Sequence, residues 1–195
     1  MKLFKILKIA FVSAMVVFVT FLAIRMFMTS DRSALNSIYP TDSAVSAYAA
    51  LGKDAFKTHS LLSDMSEDGY YTAYGLTYCE SEKELQITVR YNESLSENYL
   101  IGSDPENYYF ELRDVVGNTI ARSEAVEEKE RYFYRHLRLA FSDVDLDDYE
   151  EVYLFLISEE CSYPAEHTEG ILIHHPSIEF KSYKLSKSEI EALTK

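Results

Sequence analysis

The sequence predicts a mainly β protein in which an N-terminal transmembrane helix is followed by an antiparallel β-sandwich of about seven strands and a short C-terminal helix. Three observations predict it. Residues 9–24 run without a charge. Beyond residue 69, short stretches rich in Tyr, Val, Ile, Leu, Phe and Thr recur between acidic, Gly, Asn and Ser punctuation, and no helical hydrophobic period intervenes between them. The 195 residues, 47% hydrophobic and 26% charged, suffice for one domain with a core and are too few for two ordinary ones. Neither a disordered tail nor a collagen-like fibre has this composition.

The first element is the apolar run. Residues 9–28, interrupted only by Arg25, span about 30 Å at roughly 1.5 Å per residue, the hydrocarbon thickness of a bilayer. Arg25 sits near the outer end, where its aliphatic stem lies along lipid and its guanidinium reaches headgroups. A buried core helix would be shorter and carry a polar stripe. A cleaved signal peptide is the closer rival, but the run exceeds the usual h-region of about 7–15 residues and ends in Arg25, Met26 and Phe27 without a small-x-small site. The first cysteine is Cys79, which excludes lipoprotein-type anchoring at the end of the run.

Lys2, Lys5 and Lys8 lie in the tail of residues 1–8. The positive-inside rule therefore predicts a cytoplasmic N-terminus, an anchor in the plasma membrane and an extracytoplasmic C-terminal part. Beyond residue 30 the chain carries 15 basic and 32 acidic groups, a net of −17. A sequence pI near 4.8 argues against nucleic acid as a partner.

Residues 29–68 read as a stalk, with a weak short helix at "SAVSAYAAL" that Thr41 or Asp42 would cap and Gly52 would end. Residues 69–185 read as the sandwich. In "ELQITVRY", Leu85, Ile87 and Val89 alternate with Gln86, Thr88 and Arg90; in "RYFYRHLRLAF", Leu137, Leu139 and Phe141 alternate with His136 and Arg138. Each alternation predicts one face on a core and one in water. "DVVGNTI" predicts a tight hairpin with positive φ at Gly117 and Asn118, pairing residues 108–114 with residues 119–126. Residues 186–195 read as a helix capped by Ser186 or Ser188.

At "DVDLDDYEEVYLFL" a tyrosine follows an acidic turn and precedes a strand. This resembles the tyrosine corner of the immunoglobulin-like superfamily, and the resemblance implies that role for Tyr149 and an immunoglobulin-like sandwich. The sequence departs from the antibody pattern in having no Trp and in placing Glu151 where the second cysteine would stand. The overall plan resembles small single-pass exported proteins of Gram-positive bacteria, a similarity that implies no ligand.

Cys79 and Cys161 both fall in the exported part, where a disulfide persists. They bridge only if the strand ends that carry them are spatial neighbours; otherwise they are two separate thiols. Asp143, Asp145 and Asp147 match the first three positions of a calcium loop, but Asp148 stands where Gly is needed and Leu154 where a bidentate Glu belongs, so the run reads as a solvated turn with only a weak calcium alternative. His167, His174 and His175 cluster near the last strand, but adjacent residues on a strand point to opposite faces, which argues against a shared metal. No nucleophile elbow, HExxH or phosphate-binding glycine loop is present, so no catalysis and no cofactor are expected.

Sixteen tyrosines without a tryptophan leave Tyr70, Tyr71, Tyr74, Tyr78, Tyr108, Tyr109, Tyr132 and Tyr134 in strands. Exposed tyrosine supplies contact area at low entropic cost, and Tyr108, Tyr132 and Tyr134 are the expected contact residues. The expectation is a membrane-anchored, non-catalytic binding domain for another envelope or membrane protein. The alternative is an accessory subunit acting through its transmembrane helix.

Overall fold

A computed structural model describes residues 2–29, 38–61, 65–66, 71–92, 108–123, 125–131, 134–158 and 170–195. It divides into an N-terminal helical unit, residues 1–34, and a β-rich unit, residues 35–195.

Helix α1, Lys2–Thr29, has no acidic residue in its first turn. Lysines at a helix N-terminus oppose the backbone dipole, so they do not serve the helix itself. Within it, Leu7–Arg25 is long and apolar enough to cross a membrane, and none of that stretch is buried. An uninterrupted apolar surface of this length is disfavoured in water and favoured in hydrocarbon.

Among the described residues the β-rich unit holds ten strands in two antiparallel sheets. In chain order these are β1 Lys57–Thr58, β2 Tyr71–Cys79, β3 Glu84–Asn92, β4 Tyr108–Asp114, β5 Thr119–Ser123, β6 Ala125–Arg131, β7 Tyr134–Phe141, β8 Val152–Ser158, β9 Ile171–His174 and β10 Lys181–Ser182. One sheet runs β10-β1-β2-β3-β7-β6 and the other β5-β4-β8-β9. Leu85, Ile87 and Val89 of β3, Leu137, Leu139 and Phe141 of β7, Phe110 and Leu112 of β4, Val152 and Leu154 of β8, and Ile171 and Ile173 of β9 form one buried core between the sheets. Period-two alternation in each strand supplies that core.

The expected strand count is low because β6 and β10 form besides the seven expected strands and β1 lies in the stretch expected as a stalk. "NTIARSEAV" ends β5 at Ser123 and begins β6 at Ala125, in the opposite sheet. "RYFYRHLRLAF" divides between β6 and β7, and the last stretch between β9 and β10. Periodicity is identical on both sides of such a crossing and cannot mark it. In the hairpin between β4 and β5 only Gly117 takes positive φ. Asn118 is held instead through its backbone N–H and side-chain amide, both donating to the carboxylate of Asp114 at 2.8 Å.

Within the stretch expected as a stalk, residues 38–61 pack on the sandwich. Helix α2, Asp42–Leu51, is capped by Thr41, and Gly52 ends it at positive φ. Ile38, Ala44, Ala47, Ala55 and Phe56 are buried with Cys79 and Leu193 in a second, smaller core. The outer face of the six-stranded sheet is therefore not wet, as alternation alone would have it. Gln86 accepts from Tyr39 N at 2.7 Å and donates to Tyr39 O at 2.9 Å, and Thr41 Oγ1 donates to Glu84 at 2.7 Å. Thr77, Glu84, Gln86, Thr88, His136 and Arg138 are all buried. Burial lowers the Arg138 guanidinium to about 10, so it stays charged at neutral pH. The C-terminal helix α3, Lys187–Leu193, starts with a capping box in which Ser186 and Glu189 bond reciprocally.

Candidate binding face

The outer face of the four-stranded sheet is built by alternation in two central strands. In "YYFELRD", Phe110 and Leu112 face the core, which turns Tyr109, Glu111 and Arg113 outward; in "VYLFLIS", Val152 and Leu154 are buried, which turns Tyr153 and Phe155 outward. Register sets Glu111 opposite Phe155 on one side and Arg122 on the other.

Glu111 organises this face. It is fully buried although it lies on the outside of the sheet, because neighbouring side chains close over it. Arg113 donates to one carboxylate oxygen through Nε at 3.0 Å and Nη2 at 2.6 Å. Arg122 Nε donates to the other at 3.0 Å, joined by the Thr119 hydroxyl. Burial by itself would raise the Glu111 carboxyl, but the hydrogen bonds from Thr119 and Arg113 and the two positive charges hold it below the usual carboxylate range. It is ionised at neutral pH.

Each arginine is also stacked. Arg113 lies 5.1 Å from the Phe155 ring centroid and Arg122 5.0 Å from that of Tyr109. Phe155 in turn rests on Gly170, where an added Cβ would come within 2.8 Å of its ring. The Arg113 side chain is 22% exposed and that of Arg122 61%. The result is a preorganised surface of Arg, Tyr and Phe whose long side chains have already lost their rotamer freedom.

Of the expected contact tyrosines, Tyr108 and Tyr134 stand on strands of different sheets. Tyr108 opens β4, opposite Ser158, whereas Tyr134 opens β7 in the other sheet, opposite Asn92 and Arg131. Tyr132 lies outside the described residues. Tyr71 and Tyr78, placed among the strand tyrosines with contact potential, are buried. Of this face the sequence singles out Tyr109, among the strand tyrosines, and misses Glu111, Arg113, Arg122 and Phe155; for Glu111 and Arg113 a signal was there, since the alternation in residues 108–114 puts them on one face with Tyr109.

The remaining sequence candidates lie elsewhere. Tyr149 is half-buried against the core just before β8, and among the described residues its hydroxyl has no hydrogen-bond partner. The hydroxyl that ties down this corner belongs to Tyr78, which donates to Val144 O at 3.1 Å. Cys79 is a free buried thiol in the smaller core, its pKa raised by burial, while Cys161 lies outside the described residues. Asp143 is exposed at positive φ. Asp145 pairs with Lys83 at 2.6 Å and accepts from Asp147 N at 3.2 Å. Among the described residues no three His, Cys, Asp or Glu side chains are grouped to hold a metal ion. No protein-family model, no curated protein and no solved structure matches this chain.

Proposed function

We propose that this chain is a single-pass membrane protein, its N-terminus cytoplasmic and its β-rich unit extracytoplasmic, which binds another envelope protein without catalysis. The observation that carries the binding reading is the Glu111-centred lattice. Tyr and Arg are the residue types enriched at protein contact hot spots, and here they are held in place before any partner arrives. The exposed apolar span of α1 and the lysines before it support the anchor and its orientation. Confinement at a membrane raises the effective concentration of a weakly binding domain.

The reading includes an immunoglobulin-like sandwich. Strand order supports it: β2-β3-β7-β6 faces β5-β4-β8-β9, which corresponds to strands A, B, E and D against C′, C, F and G of that plan. Tyr149 then falls at the corner before strand F.

The test is site-specific photocrosslinking in intact cells from position 122, with position 129 on β6 of the other sheet as the control. Capture of a discrete envelope protein from position 122 and not from 129 is the expected result; equal capture or none from 122 rejects the face. Protease shaving of whole cells tests orientation separately. Digestion of the β-rich unit only after lysis overturns it.

A second reading, an accessory subunit acting through its helix, draws on a shallow depression in α1 lined by Ser13, Ala14, Val17, Phe18 and Phe21. Replacing α1 by an unrelated anchor separates the two: loss of function with normal localisation favours the helix.

A further inference from the structure

Two buried imidazoles, each with a ring nitrogen that lacks a hydrogen-bond partner among the described residues, pack on one aromatic side chain of the sandwich. His59, directly after β1, is 8% exposed, and His174, the last residue of β9 in the other sheet, is 6% exposed. His59 Nδ1 donates to Ser60 O at 2.9 Å, which leaves its Nε2 unprotonated and, among the described residues, without a well-formed hydrogen bond, although the Ile173 carbonyl is near enough to favour a proton on the ring. His174 Nδ1 is likewise buried and, among the described residues, without a hydrogen-bond partner. A buried polar atom left unpaired costs free energy, so a pair of them at one place calls for an explanation.

Both rings pack on the same side chain. Phe180 lies 4.8 Å from His59, edge-on, and 6.1 Å from His174, nearly parallel, with Tyr78 a further neighbour at 5.8 Å. Phe180 immediately precedes β10, which is only two residues long and pairs with β1 through Lys57↔Ser182 and Thr58↔Lys181. So short a ladder contributes little by itself; Phe180 holds the N-terminal side of this segment, while on its C-terminal side Tyr183 N donates to Phe56 O at 2.9 Å and Tyr183 and Leu185 pack on the smaller core.

We propose that His59 and His174 form an acid-sensitive latch: neutral, they seat Phe180 and hold β10 on the six-stranded sheet, and protonated, they release it. Charging either ring places an ion in a site built for an aromatic contact, and charging both adds repulsion between neighbours in opposite sheets.

Charges around the pair act in both directions. Asp147, from the turn before β8, favours a proton on His174, whereas His59 and His175 disfavour it. The carbonyls of Ser60 and Ile173 favour one on His59. On the edge strands, Lys57 is paired with Glu80 and Lys181 is exposed. Burial is the largest influence on both histidines and lowers both below 6.5. With the segment released, His59 and His174 take up protons at the ordinary value, so attachment is complete above about pH 6.5 and weakens as pH falls below it, by at most about tenfold per pH unit for each histidine.

The test is hydrogen exchange of the full chain in lipid nanodiscs at pH 7.5 and 5.5, corrected for the intrinsic rate. Peptides covering residues 57–61 and 176–185 should open faster at pH 5.5, by up to about tenfold for each histidine, with residues 85–89 of β3 unchanged. The His59→Gln, His174→Gln double variant should lose that difference. Should the variant fail to fold, histidine titration of the wild-type chain by NMR decides, with both midpoints expected below 6.5. Equal protection at the two pH values, acceleration spread evenly into β3, or midpoints at or above 6.5 would overturn the latch. Protection of the segment by added zinc at pH 7.5 would overturn it in favour of a metal site.

Discussion

The Tyr71 hydroxyl, on β2, donates a 2.7 Å hydrogen bond to the main-chain carbonyl of Leu154 on β8, across the core and from one sheet to the other. Its ring meets Phe110 edge-on at 6.0 Å. Apolar contacts between sheets tolerate sliding, whereas a buried hydroxyl with one acceptor does not. Tyr71 thus fixes how the two sheets register over each other.

Tyr71→Phe keeps the ring and removes the bond. It should destabilise the β-rich unit by about 1–2 kcal/mol with little change in the urea m-value. Urea unfolding monitored by circular dichroism checks this; an unchanged midpoint would mean that the bond contributes nothing net.

Glu111→Gln should cost about 1–3 kcal/mol, because it leaves two arginines beside a neutral amide while water still reaches Arg122, 61% exposed, and in part Arg113, 22% exposed. The wild-type pH dependence has a definite sign. A carboxylate held below its usual value stabilises the fold above about 4.5, and that contribution is lost as pH falls through the lowered value. Acid unfolding curves of the two proteins should therefore converge at low pH. Curves that stay parallel below pH 4 would rule out Glu111 as the source.

Gly170→Ala pushes on Phe155 and on Leu154 O, the latter at 3.0 Å from the added carbon. The ring can swing and the backbone cannot, so the stability cost should be about 1 kcal/mol while the Arg113 stack is lost. Crosslinking from position 122 should fall more than stability does. Unchanged capture would detach Phe155 from the binding face.

Gln86→Ala removes both bonds to Tyr39 and should cost about 1–3 kcal/mol. The loss is expected to be local, so limited proteolysis should cut in residues 38–51 while the sandwich stays intact. Cleavage distributed over the whole unit would show that this segment is part of the main folding unit.

The sequence by itself determined the apolar helix, the mainly β character, the 4–5 hairpin and most of the core. Each of these is written in local periodicity: an uncharged run of membrane length, alternation at every second residue, a glycine where φ must be positive. The binding face was half legible, since Tyr109, Glu111 and Arg113 alternate with core residues in a single strand. Tertiary structure alone decided the rest. Arg122 and Phe155 reach Glu111 only after three strands pair in register. Alternation marks Gln86, Thr88 and Arg138 as facing away from the core, and whether that face is wet depends on α2 and α3, which come from opposite ends of the chain and cover it. His59 gave no signal and His174 stood out only beside His167 and His175, because His59 and His174 come together only when the edges of two sheets close over Phe180. A pattern along the chain records which way a side chain points, whereas burial and pairing depend on what the fold sets against it.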